Sequence, residues 1–229
     1  MSDAVKTTRA YDSPRRREQA AATRRAILEA AQRLFEWDGY AATSVPAIAA
    51  EARVALKTVY VAFETKANLL NALWEARLGQ GEEAIPVLER EWYRRLLAEP
   101  NPEGKLRILA AQAREVKTRS GALLEVIRNA STADTEIAAL WNRIQSKLLE
   151  VQRSVVEQLA EQDALASGLD AATATDILWT LNHPTVWHLL VRERGWSAEQ
   201  YERWLGDAFC SQLLRARNNE RPYDASPRM

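Results

Sequence analysis

The chain has 229 residues with 31 basic and 31 acidic side chains, so it lacks the overall positive charge typical of nucleic-acid-binding proteins. Hydrophobic residues make up 47% of the sequence, which excludes an intrinsically disordered chain. A single cysteine, Cys210, excludes an internal disulfide. No signal-peptide core or uncharged apolar run of about 18 residues is present, so we expect a cytoplasmic protein without membrane spans.

The composition and the charge distribution predict an all-α protein in two parts. Gly and Pro, eight of each, are scarce, and the alternating Val, Ile and Thr runs of strands are nearly absent. Residues 1–70 carry 11 Lys or Arg against 8 Asp or Glu, a balance of +3 that leaves −3 for the remainder. This division favours a small nucleic-acid-binding head on a larger helical body.

The head begins with a basic segment. Residues 1–20 include Arg15, Arg16 and Arg17 and few apolar side chains, which predicts a disordered arm that is either solvated or in contact with phosphates. The first helix, over 21–37, has an apolar stripe and ends before Gly39, which can adopt the left-handed conformation that stops helices. Capping residues and spacing then predict helices over 44–51, 56–62 and 65–81.

The body should contain helices over 103–118, 121–130, 134–161, 170–192 and 198–215. Gly79, Gly81 and Pro86 predict a break before it, and Gly121 a break inside it. The predicted organisation is an arm over 1–20, a small nucleic-acid-binding head over 21–81, a larger helical body over 82–217, and a flexible tail over 218–229.

The most informative segment, residues 43–66, reads as two short helices joined by a tight turn, the pattern of a helix–turn–helix. Apolar residues spaced along the first three helices can close a core, and they leave Lys57, Thr58 and Tyr60 to face outward. The core we predict consists of Ile27, Leu34, Phe35, Val45, Ile48, Ala49, Ala52, Val54, Val59 and Phe63.

Residues 24–70 resemble the DNA-binding domain of the TetR (tetracycline-repressor) family. The matching motifs are ILEAAQRLFEWDGYAATSV, IAAEARV, KTVYVAF and TKANLL, with a weaker match in the segment DILWTLNHPTVWHLLVRERGWSAEQYERWL. The resemblance implies an all-α fold, an N-terminal three-helix DNA-binding domain and a larger C-terminal helical domain for ligand binding and dimerisation. It also implies a homodimer through the last two helices, which binds double-stranded DNA at a palindromic operator.

The candidate DNA contacts lie in the second, third and fourth helices and the turn. Lys57 and Thr58, in the first turn of the recognition helix, can reach base edges, and the resemblance implies phosphate contacts for Tyr60 and Lys66. The alternative is that these side chains are only solvated. The full set of candidates is Thr43, Ser44, Arg53, Leu56, Lys57, Thr58, Tyr60 and Lys66.

Arg53 departs from the family, which usually has Gly at this position of the turn. Either the turn avoids a positive φ, or Arg53 is strained by about 1–2 kcal/mol. A long basic side chain at this position could also reach a phosphate.

In the body, Trp141, Trp179 and His183 are candidates for the lining of an effector pocket, because aromatic walls with one polar group suit an amphipathic ligand. The alternative is that they are core residues. The surface expected to form the dimer comprises Trp187, Leu190, Trp204, Leu205, Ala208, Phe209 and Leu213.

We expect no catalysis, because the sequence contains no HExxH, GxSxG, P-loop or dinucleotide motif, and we expect no cofactor. The two histidines, His183 and His188, do not share a helix face, so no metal site is expected. The sequence therefore predicts a ligand-responsive transcription regulator, most simply a repressor. The alternative is a helical adaptor that has lost DNA binding.

Overall fold

The computed structural model describes residues 14–78 and 89–215, in which helices are joined by short turns and no β-strand occurs. A π-helical turn covers His188–Glu193. The α-helices are α1 Pro14–Ala42, α2 Val45–Glu51, α3 Leu56–Phe63, α4 Lys66–Leu78, α5 Glu91–Ala98, α6 Pro102–Ala130, α7 Thr135–Glu161, α8 Ala171–Leu181, α9 Pro184–Trp187 and α10 Ala198–Leu213.

Helices α1 to α4 form the head around the predicted stripe. Ile27 and Phe35 of α1 are fully buried, and Ile48, Val59 and Phe63 cover them from α2 and α3. Burial of each large side chain stabilises the head by about 1.5–3 kcal/mol. The other predicted members are buried or packed against this cluster: Leu34, Val45, Ala49, Ala52 and Val54.

The start of α1 corrects the predicted arm. The helix begins at Pro14, so residues 14–20 are helical rather than disordered, whereas residues 1–13 lie outside the described part of the chain. Proline suits the first position of a helix because the N–H that it lacks would have no partner there. Gly39 has φ 80° and kinks the helix where a left-handed stop was predicted.

The body is built around α6, which packs against α5, α7, α9 and α10. The predicted break at Gly121 is wrong, because α6 continues through it to Ala130. A Cβ atom at Gly121 would lie 2.9 Å from Nε1 of Trp187. The glycine therefore admits the close approach of an indole ring to the helix and does not mark its end.

Two further expectations for the body are corrected. The helix predicted over 170–192 is interrupted after Leu181, because Pro184 has no N–H and keeps His183 in an extended conformation, with φ −62° and ψ 140°. Helix α5 was not predicted, since its N-cap residue, Arg90, makes no capping hydrogen bond through its side chain. Gly79, Gly81, Pro86 and the tail over 218–229 lie outside the described residues.

Head and body share one hydrophobic core. Leu123 and Ile127 near the end of α6, with Ile137 and Leu140 at the start of α7, belong to the same buried cluster as the residues of the head. A displacement of the α6–α7 corner therefore acts directly on α1 and α4. Among the helices of residues 14–78 and 89–215, none is long and apolar enough to cross a membrane.

Candidate functional site

The turn between α2 and α3 is closed by backbone hydrogen bonds at the end of α2. The N–H of Arg53 donates to the carbonyl of Ala50 at 3.1 Å, and the N–H of Val54 donates to that of Ala49 at 3.0 Å. This is the Schellman arrangement, which places its C′ residue in the left-handed region. Arg53 occupies that position with φ 56°, so the strained alternative of the sequence analysis is the one observed.

One face of α3 is directed to solvent. Val59 and Phe63 are buried in the head, whereas Lys57 is exposed and Tyr60 retains 46% of its accessible surface. Val61, which sequence reasoning missed, is 76% exposed beside Tyr60. An apolar side chain this exposed in the recognition helix is a signal that helical spacing alone could have revealed.

Leu56 and Thr58 complete the N-terminal turn of α3. Leu56 is 40% exposed, and Thr58 is half-buried, with its backbone N–H donated to the carbonyl of Ala55 at 2.8 Å. Both lie where a recognition helix meets base edges. Ser44, at the exposed N-cap of α2, accepts a hydrogen bond from the N–H of Ala47 at 3.2 Å, and its hydroxyl hydrogen remains able to bind an anion.

Thr43 is placed differently from the expectation. It is 3% exposed, and its hydroxyl is directed at the carbonyls of Gly39 and Leu34, at 2.8 and 3.1 Å. The single hydroxyl hydrogen is therefore engaged within the α1–α2 turn. Of these two neighbouring candidates for DNA contact, Ser44 is the one that faces solvent.

Lys66 also has an internal role. Its ammonium donates to the carbonyls of Tyr40 and Thr43, at 2.8 and 3.0 Å, and lies 4.2 Å from the centre of the Tyr40 ring. Burial lowers the pKa of Lys66, while the negative charge of Asp134 opposes that shift. Two of its three N–H groups therefore hold the α1–α2 turn, and the phosphate contact of Lys66 stays a prediction for the third.

In the body, the three predicted pocket residues are brought together. The rings of Trp179 and His183 meet edge to face at 5.1 Å between centroids, and those of Trp141 and His183 at 5.9 Å. Nε1 of Trp179 donates to Oε1 of Gln145 at 3.1 Å, which adds a residue that the sequence analysis did not select. All four side chains are partly accessible, so the cluster lies at the edge of the core.

Residues 27–73 match the family model described as bacterial regulatory proteins, tetR family. The N-terminal domain belongs to the TetR family. This match contains α2, the turn and α3, together with most of α1 and the first eight residues of α4. No curated protein sequence matches the chain.

Solved structures with the same fold cover the body as well as the TetR domain. The chain is similar to native NalD of Pseudomonas aeruginosa, the secondary repressor of the MexAB-OprM multidrug efflux pump, at 22% identity and a TM-score of 0.65, with 85% of this chain and 98% of NalD covered. It is similar to FadR of Bacillus subtilis bound to stearoyl-CoA, at 19% identity and a TM-score of 0.64, over 82% and 97% of the two chains.

A third structure, a transcriptional regulator of Saccharomonospora viridis bound to choline, gives a TM-score of 0.66 at 18% identity, over 86% of this chain and all of that one. At these identities the likeness establishes the fold. Together with the family match, it shows an all-α protein with a TetR helix–turn–helix domain and a larger C-terminal helical domain.

A side-chain hydrogen bond joins the end of α1 in the TetR domain to the start of α7 in the body. The hydroxyl of Tyr40, at the end of α1, donates to Oδ2 of Asp134 at 2.8 Å. Oδ1 of the same carboxylate caps α7 by accepting from the N–H groups of Glu136 and Ile137. Burial, followed by the hydrogen bond with Asp134, raises the pKa of Tyr40. The residue therefore links the turn held by Lys66 to the N-terminus of α7.

Replacing Tyr40 by Phe should lower the free energy of unfolding by about 1–2 kcal/mol, because a half-buried hydrogen bond to a charged carboxylate is lost. Urea unfolding measures the change. A double-mutant cycle with Asp134→Asn, which retains a capping side chain, isolates the pair. A coupling energy near zero would show that the Tyr40 hydroxyl does not stabilise the junction.

The expected dimer surface needs correction. Trp187 is 6% exposed, and Leu205, Phe209 and Leu213 are fully buried in the core that α10 forms with α6 within one subunit. Side chains that stabilise their own subunit cannot also contact a partner. Of the predicted set, Leu190, Trp204 and Ala208 keep accessible surface.

The other histidine, His188, and the single cysteine, Cys210, have surroundings that do not favour a reactive site. Nε2 of His188 lies 3.3 Å from Oε1 of Glu193, away from the ring cluster of His183. Burial raises the pKa of the Cys210 thiol, which disfavours the reactive thiolate. Within the described ranges, no three His, Cys, Asp or Glu side chains are placed to hold a metal ion.

Proposed function

We propose that this TetR-type protein is a sequence-specific, homodimeric repressor that a small molecule releases from a palindromic operator. The observation that carries the proposal is the solvent-facing surface of α3, where Lys57, Tyr60 and Val61 project from a helix whose opposite face is buried. A rigid, short helix with exposed polar and apolar side chains is what major-groove recognition requires.

Within this surface, the residues divide by the chemistry that they offer DNA. Lys57 donates to guanine O6 or N7, and Val61, Leu56 and the Thr58 methyl pack against thymine methyl groups. Tyr60, with nearly half of its surface exposed, donates to a phosphate. The base-reading contacts determine the sequence, and the phosphate contact determines the register of the helix in the groove.

Two further phosphate contacts flank α3. Ser44 presents an exposed hydroxyl at the N-terminus of α2, where the helix dipole favours an anion. Arg53 extends from the turn and is exposed. Arg53 can neutralise a phosphate and would then contribute about 0.9 to the salt slope of binding, whereas the uncharged Ser44 hydroxyl would add a hydrogen bond without changing that slope.

A dimer is needed because one α3 contacts few base pairs. Two copies of the head related by a two-fold axis would bind half-sites about 34–36 Å apart, one helical turn of DNA. We propose that the interface includes the π-helical turn and α10, where Leu190, Trp204 and Ala208 retain accessible surface. Fluorescence anisotropy tests this with the duplex that the protein selects from a random pool. Insertion of about 5 base pairs between the half-sites puts them on opposite faces of the DNA, so a two-fold dimer should bind the altered duplex more weakly.

Release by a ligand follows from linkage between the body and the head. The choline and stearoyl-CoA complexes are structures of this fold with a small molecule bound. A ligand that separates α7 from α8 displaces the α7 N-terminus, and with it the bond between Asp134 and Tyr40. The expected coupling is about 1–3 kcal/mol. If operator affinity does not change with any compound that binds the body, the repressor proposal fails.

Arg53→Gly should raise the free energy of unfolding by about 0.5–1 kcal/mol, because relief of the left-handed strain exceeds the added chain entropy of glycine. If Arg53 contacts a phosphate, the same substitution lowers the slope of log affinity against log salt by about 1. Urea unfolding and a salt series of operator titrations measure the two effects. Arg143→Gln, an exposed arginine of α7, is the control that should leave the salt slope unchanged.

A further inference from the structure

The aromatic cluster of the body contains hydrogen-bond donors that lack acceptors. Trp179 has only a donor, and it occupies the carbonyl oxygen of Gln145 at 3.1 Å, which fixes the orientation of that amide. The Nε2 group of Gln145 is then buried with no protein partner. Because buried N–H donors without an acceptor are costly, an acceptor from outside the protein would be favoured beside this Nε2 group.

His183 presents a second donor beside the first. Its Nδ1 accepts the backbone N–H of Thr185 at 3.2 Å, so in the neutral ring the proton resides on Nε2. Burial, followed by the positive charges of Arg128 and Lys117, lowers the pKa of His183, which keeps the ring neutral at pH 7. No acceptor among residues 14–78 and 89–215 is bonded to this Nε2 group.

Glu125, a carboxylate whose charge acts on His183, is already engaged by protein groups. Glu125 is paired with Arg128, with Oε1 2.6 Å from Nη2, and its other partner is the amide of Asn129. Lys117 is 5% exposed, and its ammonium contacts only neutral groups, the two oxygens of Asn182 and the hydroxyl of Tyr201. A cationic ligand would therefore meet no free carboxylate of this group, whereas an anion would meet donors.

The donors continue along the inner face of α7. Gln152 lies seven residues after Gln145, about 10.5 Å along the axis and nearly in line with it. Gln152 is completely buried, and neither polar atom of its amide has a protein partner. Unpaired polar groups therefore extend along α7 from Gln145 to Gln152, into the buried interior of the body.

We propose that the effector is a planar aromatic molecule that carries an anionic or carbonyl oxygen, bound against the cluster of Trp141, Trp179 and His183 with its oxygen accepting from Gln145 and His183. This names the ligand class for the repressor proposed above and rests on that function. The rings supply stacking surfaces, and the two donors determine the orientation of the bound molecule.

Two probes with the same ring system and opposite polar groups test the proposal by isothermal titration of the full chain. 1-Naphthoate offers oxygen acceptors, and 1-naphthylmethylammonium offers only donors. We expect saturable binding of 1-naphthoate with one site per subunit, and at least about tenfold weaker binding of the ammonium compound. Equal binding of both probes, or no saturable binding of 1-naphthoate, would overturn the proposal.

The variant Gln145→Glu retains an oxygen for Trp179 but removes the two N–H donors. It should weaken 1-naphthoate binding by at least about tenfold and improve binding of the ammonium probe. Gln162→Glu, the same change at an exposed position after α7, is the matched control and should bind both probes as the wild type does. Unchanged 1-naphthoate affinity in Gln145→Glu would refute the assigned contact.

Operator binding separates this inference from the function on which it rests. If the wild type binds an operator but not 1-naphthoate, the ligand class is wrong and the proposed DNA-binding function stands. If it binds 1-naphthoate but no operator, the DNA-binding proposal fails instead.

Discussion

The double variant Lys57→Ala, Tyr60→Phe should bind the operator at least about 30-fold more weakly than the wild type, since each recognition contact contributes about 1–3 kcal/mol. Both side chains project from the exposed face of α3, so their removal leaves the buried core of Val59 and Phe63 intact. The circular dichroism spectrum and the urea midpoint should therefore not change.

The control is Lys147→Ala, which removes one positive charge from an exposed position of α7, far along the chain from α3. It should bind the operator with wild-type affinity. Wild-type affinity in the double variant, by contrast, would show that α3 is not the recognition helix. The single variants then separate roles: Lys57→Ala should relax base preference at one position, and Tyr60→Phe should weaken binding to all sequences alike.

The second large effect concerns the stability of the body. Lys117 of α6 is 5% exposed, and its three N–H groups contact the backbone oxygen of Asn182 at 2.8 Å, its side-chain oxygen at 2.6 Å and the Tyr201 hydroxyl at 2.7 Å. Lys117→Ala should lower the free energy of unfolding by about 3–5 kcal/mol, because a cavity forms and buried oxygens lose their donor. Lys117→Met, which fills the same volume, should cost less.

The same lysine predicts a pH dependence. Burial lowers the pKa of Lys117 well below its ordinary value of 10.5, so over the interval between the folded pKa and 10.5 the unfolded chain binds more protons than the folded chain. Stability contributed by this group therefore rises with pH through that interval. The difference in unfolding free energy between wild type and Lys117→Met, measured by urea from pH 6 to 9.5, should increase with pH. A constant difference would show that Lys117 titrates normally.

Local sequence signals were sufficient for the head. The stripe of Ile27 and Phe35 and the cap at Ser44 each act within a few residues, and the structure confirms both, whereas Gly39 kinks α1 and does not end it. The strain at Arg53 was also foreseeable, because the Schellman end of α2 requires a left-handed residue whatever side chain is present.

The contacts that the sequence analysis missed join residues distant in sequence. The Lys66 ammonium donates to the Tyr40 carbonyl, 26 residues away, which no local pattern indicates. Gly121 read as a helix break because nothing local indicates that Trp187 packs against it. Lys117 is a residue type that is rarely buried, so its position between α6 and α10 was not predictable from composition or periodicity.

The dimer surface illustrates a limit of periodicity. Leu205, Phe209 and Leu213 form a regular apolar stripe on α10, and such a stripe predicts burial without indicating which surface covers it. In the structure α6 of the same chain covers them. The sequence predicted that Trp141, Trp179 and His183 lie together, but not the polarity of this proposed effector site, because the unpaired N–H groups of Gln145 depend on the orientation set by Trp179.

The measurement that tests the central claim most directly is selection of DNA by the purified protein from a pool of random duplexes, followed by sequencing of the retained molecules. The Lys57→Ala, Tyr60→Phe variant is run in parallel. We expect the wild type to enrich a palindromic sequence whose half-sites are one helical turn apart, and the variant to enrich none. No enrichment by the wild type at low salt would contradict the account and favour a helical adaptor that does not recognise DNA.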